Sequence, residues 1–138
     1  MMQKEPAMKF SVEQAKPDAI SEVAMLLLHG VTAAHVHHWN TMGPGSYAEH
    51  QAIGEFYEGL EDLADSLIEG CLLNSKIISE KGAFFLGESS VALVQYIYDR
   101  MAVLRKSNGF PQDSEVQNAV DEIQMLCRHT LFKLYRLK

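Results

Sequence analysis

The sequence predicts an all-α protein folded as an antiparallel four-helix bundle, and three observations support this prediction. Apolar residues recur at helical spacing in four separate stretches. Segments with Gly or Pro separate these stretches, and no segment sustains the alternation of a strand. With 138 residues, 47% of them hydrophobic, the chain can bury one core without disulfides or a structural metal. We expect a flexible leader at residues 1–16 and one helical domain at residues 17–138.

The first helix is predicted over residues 19–41, with an apolar stripe that includes Leu28. The sequence Gly43-Pro44-Gly45 ends this helix, because Gly suits a left-handed C-cap and Pro cannot continue the hydrogen-bond ladder. A connection this short requires the next helix to run back along the first.

The second helix has a clear predicted start. Ser46 and Glu49 form an S-x-x-E capping box, in which each side chain satisfies a backbone amide near the other. The apolar pattern continues to about Lys81, where Gly82 ends the helix.

The third and fourth helices are predicted over residues 90–107 and 113–137, on either side of an Asn-Gly-Phe-Pro break. Mostly short connections favour antiparallel neighbours. Cys71 and Cys127 both lie in apolar helical patterns far apart in sequence, which predicts buried free thiols rather than a disulfide framework.

Charge and hydropathy narrow the class of protein. The net charge of −6 argues against a nucleic-acid partner, because such surfaces neutralise phosphates with clustered Lys and Arg. No signal peptide and no apolar run of membrane-spanning length is evident. We therefore expect a cytoplasmic protein without a membrane partner.

Histidines gather around the first turn of the chain. His38 lies in the last turn of the first helix and His50 near the start of the second, so an antiparallel pair brings both imidazoles together. His35, one turn before His38, is a candidate third ligand. His37 points about 100° away and is expected to be solvated or packed. Packed or capping histidines are the alternative interpretation.

Carboxylates form a second group on the second helix. Glu61, Asp65 and Glu69 repeat every four residues and stack along one face, although like charges at this spacing repel. Either the face is solvated or the carboxylates bind a hard cation.

One chain cannot bring the two groups to a common ion. Asp65 lies 15 residues beyond His50, or roughly 22 Å along a helix. In a two-fold dimer, the second helices of the two subunits could pack antiparallel. The His end of each subunit would then meet the carboxylate end of the other, which gives two equivalent sites per dimer. The Glu-x-x-His pairs of an intrachain di-iron bundle are absent from the sequence.

The run HWNTMGPGSYAEHQAIGEFYEGLEDLADSLIE resembles the signature of the Dps proteins, the ferritin-like DNA-protecting proteins of starved cells. The resemblance covers His-Trp-Asn at the end of the first helix, the Gly-x-x-[FY] turn, the second His and the Asp-x-x-x-Glu. Parts of the chain also look like small ferritin-like proteins of phage genomes.

This resemblance implies a ferritin-like fold with ferroxidase sites across a dimer two-fold. His38 and His50 would come from one subunit and Asp65 and Glu69 from the other, with Trp39 beside the iron. It further implies oxidation of Fe(II) by hydrogen peroxide or O2, and a twelve-subunit shell that stores the mineral.

Two departures from the Dps pattern affect these expectations. Family members usually carry Asp four residues after the second His, where this chain has Gly54. Losing that ligand should weaken iron binding or leave a one-metal site. A basic tail is also lacking, which argues against DNA binding.

The leading expectation is therefore an iron-binding protein with weak ferroxidase activity. Its metal ligands would be His38, His50, Asp65 and Glu69, with Glu61 and His35 as further candidates. The alternatives are a protein that binds another divalent metal without redox chemistry, and a structural helical dimer whose site has degenerated.

Overall fold

The computed structural model describes residues 18–72, 78–79 and 84–138. These residues form four α-helices and no strand: α1 (Ala19–Trp39), α2 (Ser46–Leu67), α3 (Ser90–Leu104) and α4 (Ser114–Arg136). A π-helical turn, Ile68–Leu72, continues α2. The predicted all-α class is confirmed, and four helices are compatible with the predicted bundle. The leader predicted at residues 1–16 lies outside the described residues.

The two ends of the α1–α2 turn differ from the prediction. Helix α1 ends at Trp39, before the expected residue 41. The predicted capping box is wrong: Gly45 is the N-cap of α2, with a φ of 80°, and no side chain caps this end. Because Gly45 occupies the cap in the left-handed region, Ser46 is already helical, and the Glu49 carboxylate instead accepts a 2.7 Å hydrogen bond from the Ser90 hydroxyl.

Helix α2 also ends earlier than expected. Regular α-helix stops at Leu67 and the π-helical turn at Leu72, whereas Ile78 and Ser79 belong to no helix. The prediction of a helix to about Lys81 is therefore wrong at Ile78 and Ser79, and its predicted end at Lys81 and Gly82 lies outside the described residues. The apolar periodicity of the sequence continues past residue 72, so it does not show where the regular α-helix changes to a π-helical turn.

Contacts near the helix ends fix the direction of each helix. At the end of the molecule that carries the 40–45 turn, Lys133 late in α4 pairs with Glu55 early in α2. At the same end, Ser90 at the start of α3 meets Glu49 near the start of α2. Helices α2 and α3 begin here and α1 and α4 end here. The neighbouring pairs α1–α2, α1–α3, α2–α4 and α3–α4 are consequently antiparallel, as predicted.

Two described residues between α2 and α3 contact opposite ends of α1. The Ser79 amide donates a 2.9 Å hydrogen bond to the hydroxyl of Ser21, at the start of α1. At the other end of α1, Nε2 of His37 lies 2.8 Å from the carbonyl of Leu86. Among the described residues, Ser79 therefore lies at the end of the molecule where α1 starts, and Leu86 lies at the end where α3 starts. Because α3 starts at the same end as α2, the diagonal pairs α2–α3 and α1–α4 are parallel.

The four helices share one apolar core. Its largest fully buried side chains include Leu27, Ile53, Phe56, Leu60, Leu93, Ile97, Met101 and Ile123. Leu28, which the sequence placed in the same stripe, is instead 56% exposed on the outer face of α1. The stripe of α1 is thus wider than the core that it covers.

Both cysteines are free thiols, as predicted, but only Cys127 is buried, since Cys71 is half-buried in the π-helical turn. Burial raises the pKa of Cys127 from 9.0 to about 12. Its thiol is therefore protonated at neutral pH in the metal-free protein and is a poor nucleophile.

By length and composition, α1 could cross a membrane, contrary to the expectation from sequence. Core helices and signal sequences meet the same criterion, and α1 buries Val23, Leu27, Ala33 and Ala34 against the other helices. In this fold α1 is a core helix.

Candidate metal site

His38 and His50 meet where α1 ends and α2 begins, as the sequence predicted. Their imidazole centroids are 3.6 Å apart and the ring planes differ by 22°. Two hydrogen bonds cross between them: Nδ1 of His38 lies 2.9 Å from the carbonyl of His50, and Nδ1 of His50 lies 2.9 Å from the carbonyl of His38. We call this arrangement the reciprocal histidine pair.

The reciprocal pair determines which nitrogen each ring can offer. A carbonyl only accepts hydrogen bonds, so each Nδ1 must carry a hydrogen. In the neutral rings Nε2 then keeps its lone pair, the form in which imidazole binds a metal. Metal-binding histidines usually donate their other N–H to a carbonyl or carboxylate in this way. His37 differs, because its Nε2 faces the carbonyl of Leu86.

Thr41 contributes to the pair from the α1–α2 turn. Its hydroxyl donates a 3.2 Å hydrogen bond to the carbonyl of His38 and lies 3.3 Å from Nδ1 of His50. No sequence motif singled out Thr41. Its position three residues after His38 is the spacing at which a hydroxyl reaches a carbonyl at a helix end.

Gly54 lies against the ring of His38. A Cβ atom at this position would be 2.9 Å from Cε1 and 3.0 Å from Nδ1 of that imidazole. Real Cβ contacts essentially never come closer than 3.0 Å, so a side chain would displace the ring. The His38 ring therefore occupies the space that a side chain at position 54 would need.

His35 belongs to an aromatic cluster beside the pair. Its ring stacks on Tyr57 with centroids 4.3 Å apart, lies 4.5 Å from Trp39, and is 6.1 Å from the ring of His38. Tyr57 also contacts His38 edge-on at 5.5 Å. Tyr57 lies seven residues after His50 and therefore on the same face of α2.

The carboxylates lie away from the histidines. Glu61, Asp65 and Glu69 are all exposed, the first two on α2 and Glu69 in the π-helical turn. Glu61 and Asp65 border a groove of about 230 Å³ whose apolar walls include Leu28, Val31 and Ile68. Two other carboxylates, Glu55 and Asp121, pair with Lys133 and Arg105.

Within the described ranges, no group of three or more His, Cys, Asp or Glu side chains could hold a metal ion. One chain thus presents two imidazoles at one end of its α1–α2 face and carboxylates further along. A site that combines both groups would therefore need two subunits, because Asp65 lies roughly 22 Å along the helix from His50.

Comparison with known proteins gives the chain a family. No curated protein and no solved structure matches it. Residues 38–134 match the model of DUF5856, described as a family of unknown function. The matched segment covers more than half of the chain and contains His38, His50, Gly54, Asp65 and Glu69. The chain therefore belongs to the DUF5856 family.

Proposed function

We propose that this protein is a ferritin-like iron-binding protein that holds Fe(II) between two subunits and oxidises it weakly. The observation that carries the proposal is the reciprocal histidine pair, which leaves Nε2 of both His38 and His50 available as ligands. Asp65 and Glu69 of a second copy would complete the site. The resulting nitrogen and carboxylate donors suit Fe(II), and another divalent ion such as Zn²⁺ could also accept them.

The direction of the chain supports a ferritin-like topology. Ferritin-like bundles differ from simple up-down bundles by one long crossover connection. Here Ser79 bonds the start of α1 and Leu86 contacts the end of α1, so α2 ends and α3 begins at opposite ends of the molecule. The Dps resemblance of residues 38–69 supports the same assignment.

The outer α1–α2 face supports a two-fold contact. Leu28 is exposed there and forms part of the wall of the groove that Glu61 and Asp65 border. An exposed apolar surface on the face that carries both the histidines and the carboxylates is what an antiparallel dimer would bury. Such a dimer forms two mixed sites, because a two-fold contact is reciprocal. Twelve such subunits would form the shell that the Dps resemblance implies.

The proposed reaction transfers one electron from each Fe(II). With hydrogen peroxide, two Fe(II) and two protons give two Fe(III) and two water molecules, and O2 is the alternative oxidant. The protein contributes ligands that stabilise Fe(III), and carboxylates do this as hard anionic donors. His38 and His50 orient the ion through nitrogens that the backbone fixes.

Gly54 favours a second candidate function, binding of a single divalent ion without oxidation. The Dps pattern that this chain resembles has a carboxylate at this position, and here a side chain would collide with His38. One ligand fewer per site leaves less capacity for two irons. A two-electron oxidant would then lack its second electron donor within the site.

Anaerobic calorimetric titration of Fe(II), followed by addition of hydrogen peroxide, tests the proposal. We expect binding by the wild type, loss of binding in His50→Ala and in Asp65→Ala, and retention in His129→Ala, whose histidine is exposed on α4. After peroxide addition, rapid growth of Fe(III) absorbance identifies a ferroxidase. Binding without that absorbance identifies the non-redox function.

Mixing the two inactive variants tests the shared site directly. In a mixed dimer of His50→Ala and Asp65→Ala chains, one site carries both defects and the other carries none. Refolding the two variants together should therefore restore about a quarter of the wild-type sites. A mixture that forms dimers without recovering Fe(II) binding would contradict the shared site.

A further inference from the structure

Gly54 faces the ring of His38, unlike the other glycines of α2 and of the π-helical turn that follows it. A Cβ at Gly59 would make a 3.3 Å contact with a methyl group of Leu126, and a Cβ at Gly70 would meet nothing within 4 Å. At Gly54 the same atom would be 2.9 Å from Cε1 and 3.0 Å from Nδ1 of His38, but 3.9 Å from Nε2. The contact is thus with the ring edge that bonds the backbone.

We propose that Gly54 is a positioning residue, which lets the His38 ring approach α2 closely enough for Nδ1 to bond the carbonyl of His50. This inference rests on the proposed function for its consequence, that the ion receives Nε2 of His38. Its structural content concerns the metal-free protein and can be tested without any ion.

Gly54 also affects His50, because His38 and His50 are linked by two hydrogen bonds and by stacking of their rings. A methyl group at position 54 would push the His38 ring outward and lengthen its 2.9 Å bond to the His50 carbonyl. The stacked ring of His50, 3.6 Å away, would lose its support, although its own bond to the His38 carbonyl does not involve Gly54. We therefore expect the larger effect at His38 and the smaller one at His50.

The glycine also explains why the site departs from the Dps pattern without losing its histidines. A carboxylate at position 54 and the His38 ring in its present place exclude one another. In this chain the His38 ring occupies that space, so position 54 cannot carry a metal ligand. Introducing the Dps aspartate with Gly54→Asp should therefore weaken ion binding rather than strengthen it.

Nitrogen-15 NMR of the histidine rings measures the tautomers in the metal-free protein, at a pH well above the ordinary imidazole pKa of about 6.5. We expect the Nδ1–H tautomer for His38 and His50 in the wild type. Gly54→Ala should give His38 a mixture with the Nε2–H form, whereas Gly70→Ala should keep the wild-type pattern. Nε2–H tautomers in the wild type, or an unchanged pattern in Gly54→Ala, would overturn the inference.

Two measurements cover the case in which Gly54→Ala does not fold, as judged by circular dichroism. The wild-type tautomers decide the geometry by themselves. His50→Ala retains the backbone carbonyl at residue 50, so His38 should still show the Nδ1–H form in that variant. Loss of this form in folded His50→Ala would overturn the assignment of the carbonyl as its acceptor.

Anaerobic Fe(II) titration of the same samples separates this inference from the proposed function. Loss of an orienting contact typically costs 10–100-fold in metal affinity, so Gly54→Ala and Gly54→Asp should each bind at least about tenfold more weakly than Gly70→Ala. Undiminished binding by Gly54→Ala overturns the positioning role. Absence of binding in the wild type, with the expected tautomers present, overturns the proposed function and leaves the positioning role supported.

Discussion

The two ends of the α1–α2 face are constructed very differently. At the histidine end, two half-buried rings stack, exchange hydrogen bonds with backbone carbonyls and rest against Gly54. At the carboxylate end, Asp65 and Glu69 are exposed, and the second of them sits in a π-helical turn. One end is organised within a single chain, and the other has its side chains in solvent.

This difference indicates where a ligand or partner would add order. The histidine end gains little organisation on binding, because its ring orientations already exist in the monomer. The carboxylate end would lose side-chain freedom when an ion or a second subunit fixes it. We therefore expect mutations at the histidine end to destabilise the metal-free chain as well as weaken metal binding, and mutations at the carboxylate end to weaken association or binding without destabilising the chain.

The largest expected effect on folding lies at the histidine end. His50→Ala removes one hydrogen bond and a ring stack, partly offset by the better helix propensity of Ala, and should lower the free energy of unfolding by about 1–2 kcal/mol. The matched control, His129→Ala, changes an exposed histidine of α4 and should stay within about 0.5 kcal/mol. Urea unfolding of metal-free protein measures both. Equal effects would mean that the pair is no better organised than the surface.

A second effect concerns dimerisation through the α1–α2 face. Leu28 on α1 and Val103 on α3 are equally exposed, at 56% each. If the α1–α2 face forms the two-fold contact, Leu28→Asp should weaken dimerisation at least about tenfold, since it buries a charge in an apolar contact. Val103→Asp should leave the dimer unchanged. Sedimentation equilibrium measures the dissociation constants, and the reverse order would assign the contact to another face.

The sequence predicted most of the fold because the helices follow from apolar spacing and from the breaks between them. It located the turn that joins α1 to α2, and the turn was enough to bring His38 and His50 together. It misplaced the start and the end of α2 for two reasons. The left-handed N-cap at Gly45 and the π-helical turn at Ile68–Leu72 are backbone choices that side-chain periodicity does not record.

The sequence predicted which residues of the site would lie together, but not how their side chains are oriented. Spacing placed the imidazoles close together, but the exchange of hydrogen bonds depends on ring orientations that tertiary packing sets. Gly54 was interpreted as the loss of a ligand, because a sequence shows which side chain is missing and not which neighbour fills the space. The stack of His35 on Tyr57 was also hidden, since it joins two helices.

The smallest expected effect lies at the carboxylate end, and its sign separates the two ends most clearly. Asp65 has like charges four residues away on both sides, Glu61 and Glu69. Asp65→Asn should therefore raise the free energy of unfolding of the metal-free monomer by a few tenths of a kcal/mol, roughly 0.2–0.5 per relieved pair. Added salt should reduce the gain, because it screens exposed charges.

A matched substitution on α3 provides the control for this prediction. Asp99 is also exposed and helical, has no charged residue three or four positions away, and accepts a 3.0 Å hydrogen bond from Gln95 that an Asn could keep. Asp99→Asn should give no comparable gain in urea unfolding at low salt. A loss of more than about 1 kcal/mol in Asp65→Asn would mean that Asp65 makes a stabilising contact within one chain. The carboxylate end would then be organised in the monomer too, and the contrast with the reciprocal histidine pair would fail.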